Sequence, residues 1–312
     1  MSVILVILMY ATWSSVFSIG KMTLEHCPPV FLTSVRMLLA GVLLLAFFAC
    51  TKRSPFKIEK KQFFSLLLLA FFSIYLTNVL EFWGLQYLSA AKACFIYSLS
   101  PFFASFFSYL HFNERMNGKK WIGLSIGFLG ILPVLFTQTG SEGLLNFVSF
   151  LSWPTLAIIG AALCSVYGWI LLRIVVKNQT LSPVLANGSS MLIGGTLALV
   201  HSLFIDDWNP IPVDTAYMGD FLKGTLLITF ISNILCYNLY GFMLKRFTAT
   251  FLSFVGLLSP IFASLMSWFI LGEEPSLTIF LSTLIVSSGL WIVYSAELKQ
   301  GYIVKVKKAP SS

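Results

Sequence analysis

The sequence predicts an all-α integral membrane protein, with ten transmembrane helices arranged as two inverted five-helix repeats. Three observations carry that expectation: a composition too apolar to cover a water-soluble surface, a ladder of apolar runs each near the thickness of a bilayer, and a motif that occurs twice with opposite flanking charge. The 312 residues are 57% hydrophobic and 10% charged, with a mean hydropathy of +0.87. A soluble domain carries about a quarter charged residues. Phenylalanine occurs 30 times, more often than the 20 lysines and arginines together.

Apolar runs fall at about 2–20, 30–50, 63–86, 91–112, 120–138, 152–174, 183–205, 221–243, 248–271 and 277–296. Each approaches or exceeds the ~20 residues that span a hydrocarbon core as a helix. Backbone groups in lipid must be satisfied within the segment and no alternating barrel pattern is present, so the runs read as helices. The first lacks a basic leader and a convincing cleavage site and is read as a retained helix. Turn chemistry separates the runs: Cys27-Pro28-Pro29, Lys52-Arg53-Ser54-Pro55, the short Tyr87-Leu88-Ser89, Asn113 to Lys120, Asn209-Pro210 with Pro212, and Gly272 to Pro275.

Charge sets the orientation. With a cytoplasmic N-terminus, every lysine and arginine except Lys21, Arg36, Lys92 and Lys223 falls in a cytoplasmic segment, while Glu25, Glu142, Asp206, Asp207, Asp214, Asp220, Glu273 and Glu274 fall outside. This is the positive-inside bias, and it predicts both termini on the cytoplasmic side; a bacterial inner membrane is the expected location. The basic residues lie between apolar runs, not on one soluble face, so the net charge of +8 does not indicate nucleic acid.

The segment LSPFFASFFSYLHFNE, Leu99 to Glu114, aligns without gaps on LSPIFASLMSWFILGE, Leu258 to Glu273, and the same offset of 159 puts Gly130 on Gly289. Weaker echoes join Ala11, Ser15 and Val16 to Ala161, Ser165 and Val166. The expected organisation is a first repeat over 1–138, a second over 152–296 and a basic cytoplasmic tail over 297–312. Five spans per repeat force the halves to enter the membrane from opposite sides. The turn after Glu114 carries Arg115, Lys119 and Lys120, whereas the turn after Glu273 carries no basic residue. This is the inverted-repeat design of secondary transporters.

Cys27, Cys50, Cys94, Cys164 and Cys236 are scattered, with no CxxC, and the three histidines are isolated. No disulfide framework, metal site or cofactor is indicated. Gly20-Lys21-Met22 lacks the Ser/Thr and the preceding glycine of a phosphate-binding loop, and no HExxH occurs, so energy is expected from a gradient or from exchange rather than from ATP.

The chain resembles the drug/metabolite transporter superfamily in its EamA-type ten-helix branch, over nearly its whole length. The resemblance rests on the tryptophan-bearing first helix ATWSSVFSIGK, the opening CPPVFLTSVRMLLAG, and the paired Ser-Pro helices ending in the acidic turns FNER and LGEE. Each turn is followed by a Gly-bearing helix, WIGLSIGFLGI and STLIVSSGLWI. Ser282 stands where the first copy has Gly123, a departure that bears on close packing there. A narrower resemblance is to the S-adenosylmethionine carriers of obligate intracellular bacteria. It implies uptake of that cation in exchange for S-adenosylhomocysteine by alternating access. An amino-acid or drug exporter, proton-coupled or not, and a membrane-embedded enzyme or assembly subunit are the alternatives. The expected partners are a small-molecule substrate and the lipid bilayer; monomer and homodimer both stay open.

An ionisable group inside a membrane costs at least ~2.5–3.5 kcal/mol at the helix centre and needs a reason. Glu81 is the one acidic residue well inside an apolar run, with Asn78 three residues before it on the same helical face and Trp83, Tyr87 and Tyr97 nearby in sequence. A carboxylate among aromatic rings suits a cationic substrate; the alternative is a pair between Glu81 and Lys92 across the turn. Thr229, Asn233, Tyr237 and Tyr240 form one face of the eighth helix, which either lines a wet cavity or joins helices by hydrogen bonds. Trp13, Ser14 and Asn187 are further candidates. Lys92 suits either a substrate carboxylate or the interface, as a snorkelling side chain. Pro101 and Pro260 lie inside the expected fourth and ninth helices, as hinges or as fixed bends. Glu114 and Glu273 read as capping or loop residues.

Overall fold

A computed structural model describes residues 3–51, 59–88, 93, 96–139, 152–259, 261–262 and 277–302. All regular structure among them is helical: α1 (Val3–Leu24), α2 (Pro29–Thr51), α3 (Lys60–Tyr87), α4 (Ser100–Phe112), α5 (Gly118–Thr139), α6 (Trp153–Asn178), α7 (Pro183–Ile205), α8 (Thr215–Met243), α9 (Ala249–Leu258) and α10 (Leu277–Lys299). Among the described residues, seven helices (α1, α2, α3, α6, α7, α8 and α10) are long and apolar enough to cross a membrane; α4 and α9 are shorter, and α5 has 22 residues. Large apolar side chains such as Phe47, Phe64, Leu129, Phe204 and Trp291 point outward, an exterior suited to lipid tails and not to water.

Helices pair in a definite pattern. α2 packs along α7, α5 along α10, α4 against α9, α3 against α6, and α1 against α8. Small residues allow the closest crossings. A Cβ on Gly123 would stand 2.9 Å from the carbonyl oxygen of Gly289, and one on Gly289 would stand 2.6 Å from the carbonyl oxygen of Gly123. Backbone therefore meets backbone at the α5–α10 crossing, as small residues permit in membranes. Ser282, which the offset of 159 aligns with Gly123, is buried, and Gly289 faces Gly123 directly. The run Gly123-Leu124-Ser125-Ile126-Gly127 matches the G-x-S-x-G spacing of serine hydrolases. It lies within the continuous helix α5 with Ser125 exposed, whereas a nucleophile elbow needs a strand-to-helix turn.

α3 and α8 each contain a π-helical stretch, Ala70–Leu76 and Thr229–Cys236. An asparagine follows in each and binds the carbonyls just before it. The Asn78 amide donates to Ser73 O at 3.1 Å and Ile74 O at 2.7 Å, and the Asn238 amide donates to Asn233 O at 3.4 Å and Ile234 O at 2.8 Å. Each asparagine also accepts from the helix beside it, Asn78 from Arg36 on α2 and Asn238 from Asn187 on α7.

The turns sort to two ends of the bundle. At one, Arg173 meets Glu114 at 2.5 Å, Lys120 meets Glu297 at 3.1 Å, and Thr248 donates to Glu297 at 2.6 Å. All four ionised side chains are buried. At the other end His26 stacks on Tyr217, Phe31 on Phe221, and Lys21 reaches the carbonyl oxygen of Leu88. Glu114 is thus a buried ion-pair partner and not a cap; α4 is capped by Asn113 in the left-handed conformation, φ 53°. Pro101 does not lie in a helix interior either. The chain turns at Ser98–Leu99, and Pro101 sits in the first turn of α4, where a missing N–H removes no helical bond. Pro260 and Glu273 lie outside the described residues.

Candidate functional site

A cavity opens in the middle of the bundle between α1, α2, α3, α4, α6, α8 and α9, with about 920 Å³ of atom-free space including its mouth. Its wall is chemically divided. One part is polar: Arg36 from the second turn of α2, Thr77, Asn78 and Glu81 from α3, Tyr97 from just before the Ser98–Leu99 turn, and Ser100 from the start of α4. The Tyr97 hydroxyl donates to Glu81 Oε2 at 2.5 Å. The Arg36 Nη2 group donates to Asn78 Oδ1, and the guanidinium lies over the Phe82 ring with its carbon 4.3 Å from the centroid.

The other part is aromatic. Tyr10 and Trp13 of α1, Trp169 of α6 and Tyr237 of α8 line it. Trp13 meets Trp169 at 5.7 Å and Tyr237 at 5.6 Å between centroids, and Trp169 meets Tyr237 at 5.0 Å. Tyr240 backs this cluster, stacked on Trp169 at 4.1 Å. Ser14, Ser165, Ser232, Ser253 and Ser259 supply small hydroxyls around the rings. Such a cavity offers a fixed cation, a carboxylate and a broad π surface to one ligand, a few placed polar groups set in a largely apolar wall.

Of the residues expected from the sequence, Trp13, Ser14, Asn78, Glu81, Tyr97 and Tyr237 converge on this cavity. Tyr240 stands one layer behind it. Asn233 is withdrawn from it, fully buried with its amide 2.9 Å from Met37 Sδ, where it joins α8 to α2. Thr229 is buried in the same way, and Asn187 serves Asn238. Trp83 and Tyr87 pack on each other at 5.3 Å and do not line the cavity. Lys92 lies outside the described residues. Arg36, Tyr10 and Trp169 are cavity residues that the sequence reading did not single out. For Arg36 a signal existed, since it is the one charged residue within the apolar run 30–50.

A helical bundle with a lipid-facing exterior, enclosing a polar cavity to which both halves of the chain contribute, has the architecture of a membrane carrier. The model of the EamA-like transporter family matches the chain twice, at residues 1–136 and 152–295. The chain belongs to that family. Among its curated relatives, a protein of Chlamydia trachomatis serovar L2 named S-adenosylmethionine/S-adenosylhomocysteine transporter is 39% identical, over 97% of this chain and 92% of the relative. A Chlamydia muridarum protein of the same name is 38% identical over 97% of this chain and 95% of the relative. A solved crystal structure superposes with a TM-score of 0.72 over 95% of this chain and 96% of that one at 15% identity, a likeness of fold alone.

Proposed function

We propose that this chain is a secondary carrier that takes up S-adenosylmethionine in exchange for S-adenosylhomocysteine by alternating access. The observation that carries the reading is the division of the cavity, because the ligand is divided in the same way. An ammonium and a sulfonium require negative charge and π faces, which Glu81 and the rings of Trp13, Trp169 and Tyr237 offer. A purine requires a flat aromatic surface, and base–aromatic stacking contributes about 1–3 kcal/mol per base. The names of the chlamydial relatives support the same substrate pair.

The proposed topology is ten spans in two inverted repeats, with both termini on the cytoplasmic side of a bacterial inner membrane. Pairing supports it. If α1–α5 correspond in order to α6–α10, the contacts α2–α7, α5–α10 and α4–α9 each join equivalent helices, and α3–α6 and α1–α8 exchange under the same operation. The π stretches of α3 and α8 begin at residues 70 and 229, the same offset that aligns the Ser-Pro segments. Both buried ion pairs cross between the halves on the proposed cytoplasmic side, from the α4–α5 turn to α6 and from α5 to α10. A cycle that opens that side by rocking one half on the other must separate them.

Purified protein in liposomes tests the reading. Trapped S-adenosylhomocysteine should accelerate entry of labelled S-adenosylmethionine, and an excess of free amino acids should not compete. Absence of both uptake and acceleration from folded protein would eliminate this substrate pair. Competition by free amino acids instead would point to the amino-acid exporter.

A further inference from the structure

We infer that Arg36 is the receptor for a substrate carboxylate, so that the carrier selects ligands with an intact amino-acid head over the corresponding amines. The inference deepens the reading above and rests on it for the identity of the ligand, not for the chemistry of the subsite.

Arg36 is 1% exposed, yet its side chain lines the central cavity. A guanidinium stays charged in proteins, and an unneutralised ion in a low-dielectric interior is strongly unfavourable. The other two deeply buried cations in the described structure are neutralised by carboxylates, Lys120 by Glu297 and Arg173 by Glu114. Among the described residues Arg36 has no carboxylate within ion-pair distance. Its protein partners are a neutral amide oxygen, on Asn78, and the face of Phe82. Its Nε is buried with no acceptor. The charge is therefore placed against the cavity and left partly unanswered by the protein.

Its orientation is nonetheless held. Asn78 uses both amide hydrogens on the freed carbonyls of the π stretch, which leaves its oxygen aimed at the guanidinium. Phe82, one turn further on, supports the guanidinium plane. Such a preorganised planar fork suits two-point recognition of a carboxylate. Glu81 lines the same cavity and already takes the Tyr97 hydroxyl. A zwitterionic head would meet a cation for its carboxylate and an anion for its ammonium within one wall, whereas an amine would leave Arg36 unpaired. Lys92, the sequence's candidate for a substrate carboxylate, lies outside the described residues; the geometry points to Arg36.

The test compares each acid with its amine. Thermal shift and competitive uptake with wild-type protein would use S-adenosylmethionine against its decarboxylated form, and methionine and tryptophan against their decarboxylated amines. The acid of a recognised pair should bind on the order of 100-fold more tightly, the size of effect when one partner of a buried charge pair is removed. Arg36→Gln should weaken the acid by a similar factor and the amine by roughly threefold at most. Arg36→Lys, which keeps the charge but not the fork, should fall between. If only methionine or tryptophan is discriminated from its amine, the carboxylate receptor stands and the S-adenosylmethionine reading falls. If wild-type protein prefers no acid to its amine, the inference is overturned, and no variant need fold to show it. Equal weakening of acid and amine by Arg36→Gln would also overturn it, leaving the arginine as a brace for Asn78.

Discussion

At the scale of single residues, charge and ring stacking have separable signatures. In the proposed site Glu81 would offer negative charge to the ligand, and the Tyr97 hydroxyl donates to one of its oxygens. Glu81→Gln keeps the shape and removes the charge. It should therefore weaken S-adenosylmethionine by on the order of tenfold or more, the equivalent of about 1.4 kcal/mol. It should barely change binding of 5′-methylthioadenosine, which has the same purine and no cation. Equal losses for both ligands in a competition assay would refute the charge-pairing role. Trp169 acts through its faces, lying among Trp13, Tyr237 and Tyr240. Trp169→Ala should weaken every purine-bearing ligand, charged or neutral, by about 1–3 kcal/mol, with Trp169→Tyr recovering much of it. Loss confined to the cationic ligand would assign this ring to cation–π contact instead. The polar wall was half legible in the sequence. Glu81, Asn78 and Tyr97 stand out because lipid makes each of them expensive. Arg36 met the same criterion but sits two turns from a helix end, where a basic residue also suits an interface. Trp169 looks like any aromatic in an apolar run until its neighbours are known. Asn233 misled for the converse reason: a periodic polar stripe shows which residues share a face, not whether that face meets a cavity or Met37.

At the scale of elements, hydropathy located the helices well. The runs 63–86 and 183–205 lie within a few residues of α3 and coincide with α7. Two features were not legible. The expected continuous helix over 91–112 is interrupted at Ser98–Leu99, and Pro101 falls in the first turn of the helix that follows, where proline starts a helix more readily than it bends one. The π stretches were hidden since each depends on tertiary partners, Arg36 for Asn78 and Asn187 for Asn238. Packing leads to two predictions. Gly289→Ala places a methyl 2.6 Å from a backbone oxygen of α5, and neither helix can yield locally. Destabilisation of about 1–3 kcal/mol is expected, visible as earlier thermal aggregation in detergent, while Gly219→Ala, with nothing within 4 Å, should melt like the wild type. Arg173→Ala strands the buried Glu114 carboxylate and should destabilise by about 3–5 kcal/mol. The double change Glu114→Gln with Arg173→Met should recover much of that loss, because it removes the charge together with its partner. A double variant as unstable as the single would show that packing of the arginine stem, not the ion pair, is what the site requires.

At the scale of the whole molecule, the charge of the two proposed ligands would set how the proposed exchange responds to the membrane potential. S-adenosylmethionine has an ammonium, a sulfonium and a carboxylate, net +1; S-adenosylhomocysteine lacks the sulfonium charge and is net zero. A carrier that returns to its starting state after one-for-one exchange therefore moves one positive charge inward. Each elementary charge crossing 100 mV is worth about 2.3 kcal/mol, so an inside-negative membrane would favour accumulation roughly 50-fold at equilibrium. One route could cancel this. If Glu81 travelled inward as a carboxylate with the cation and outward protonated with the neutral product, each cycle would export a proton and the exchange would be electroneutral. Proteoliposomes clamped with potassium and valinomycin distinguish the two routes. Entry of labelled S-adenosylmethionine against trapped S-adenosylhomocysteine should rise as the interior is made negative and fall as it is made positive. Net accumulation in exchange of S-adenosylmethionine for itself should not respond. Hetero-exchange that ignores the potential but acidifies the outside would replace the electrogenic cycle with the proton-compensated one, and would make Glu81 the group that couples the halves.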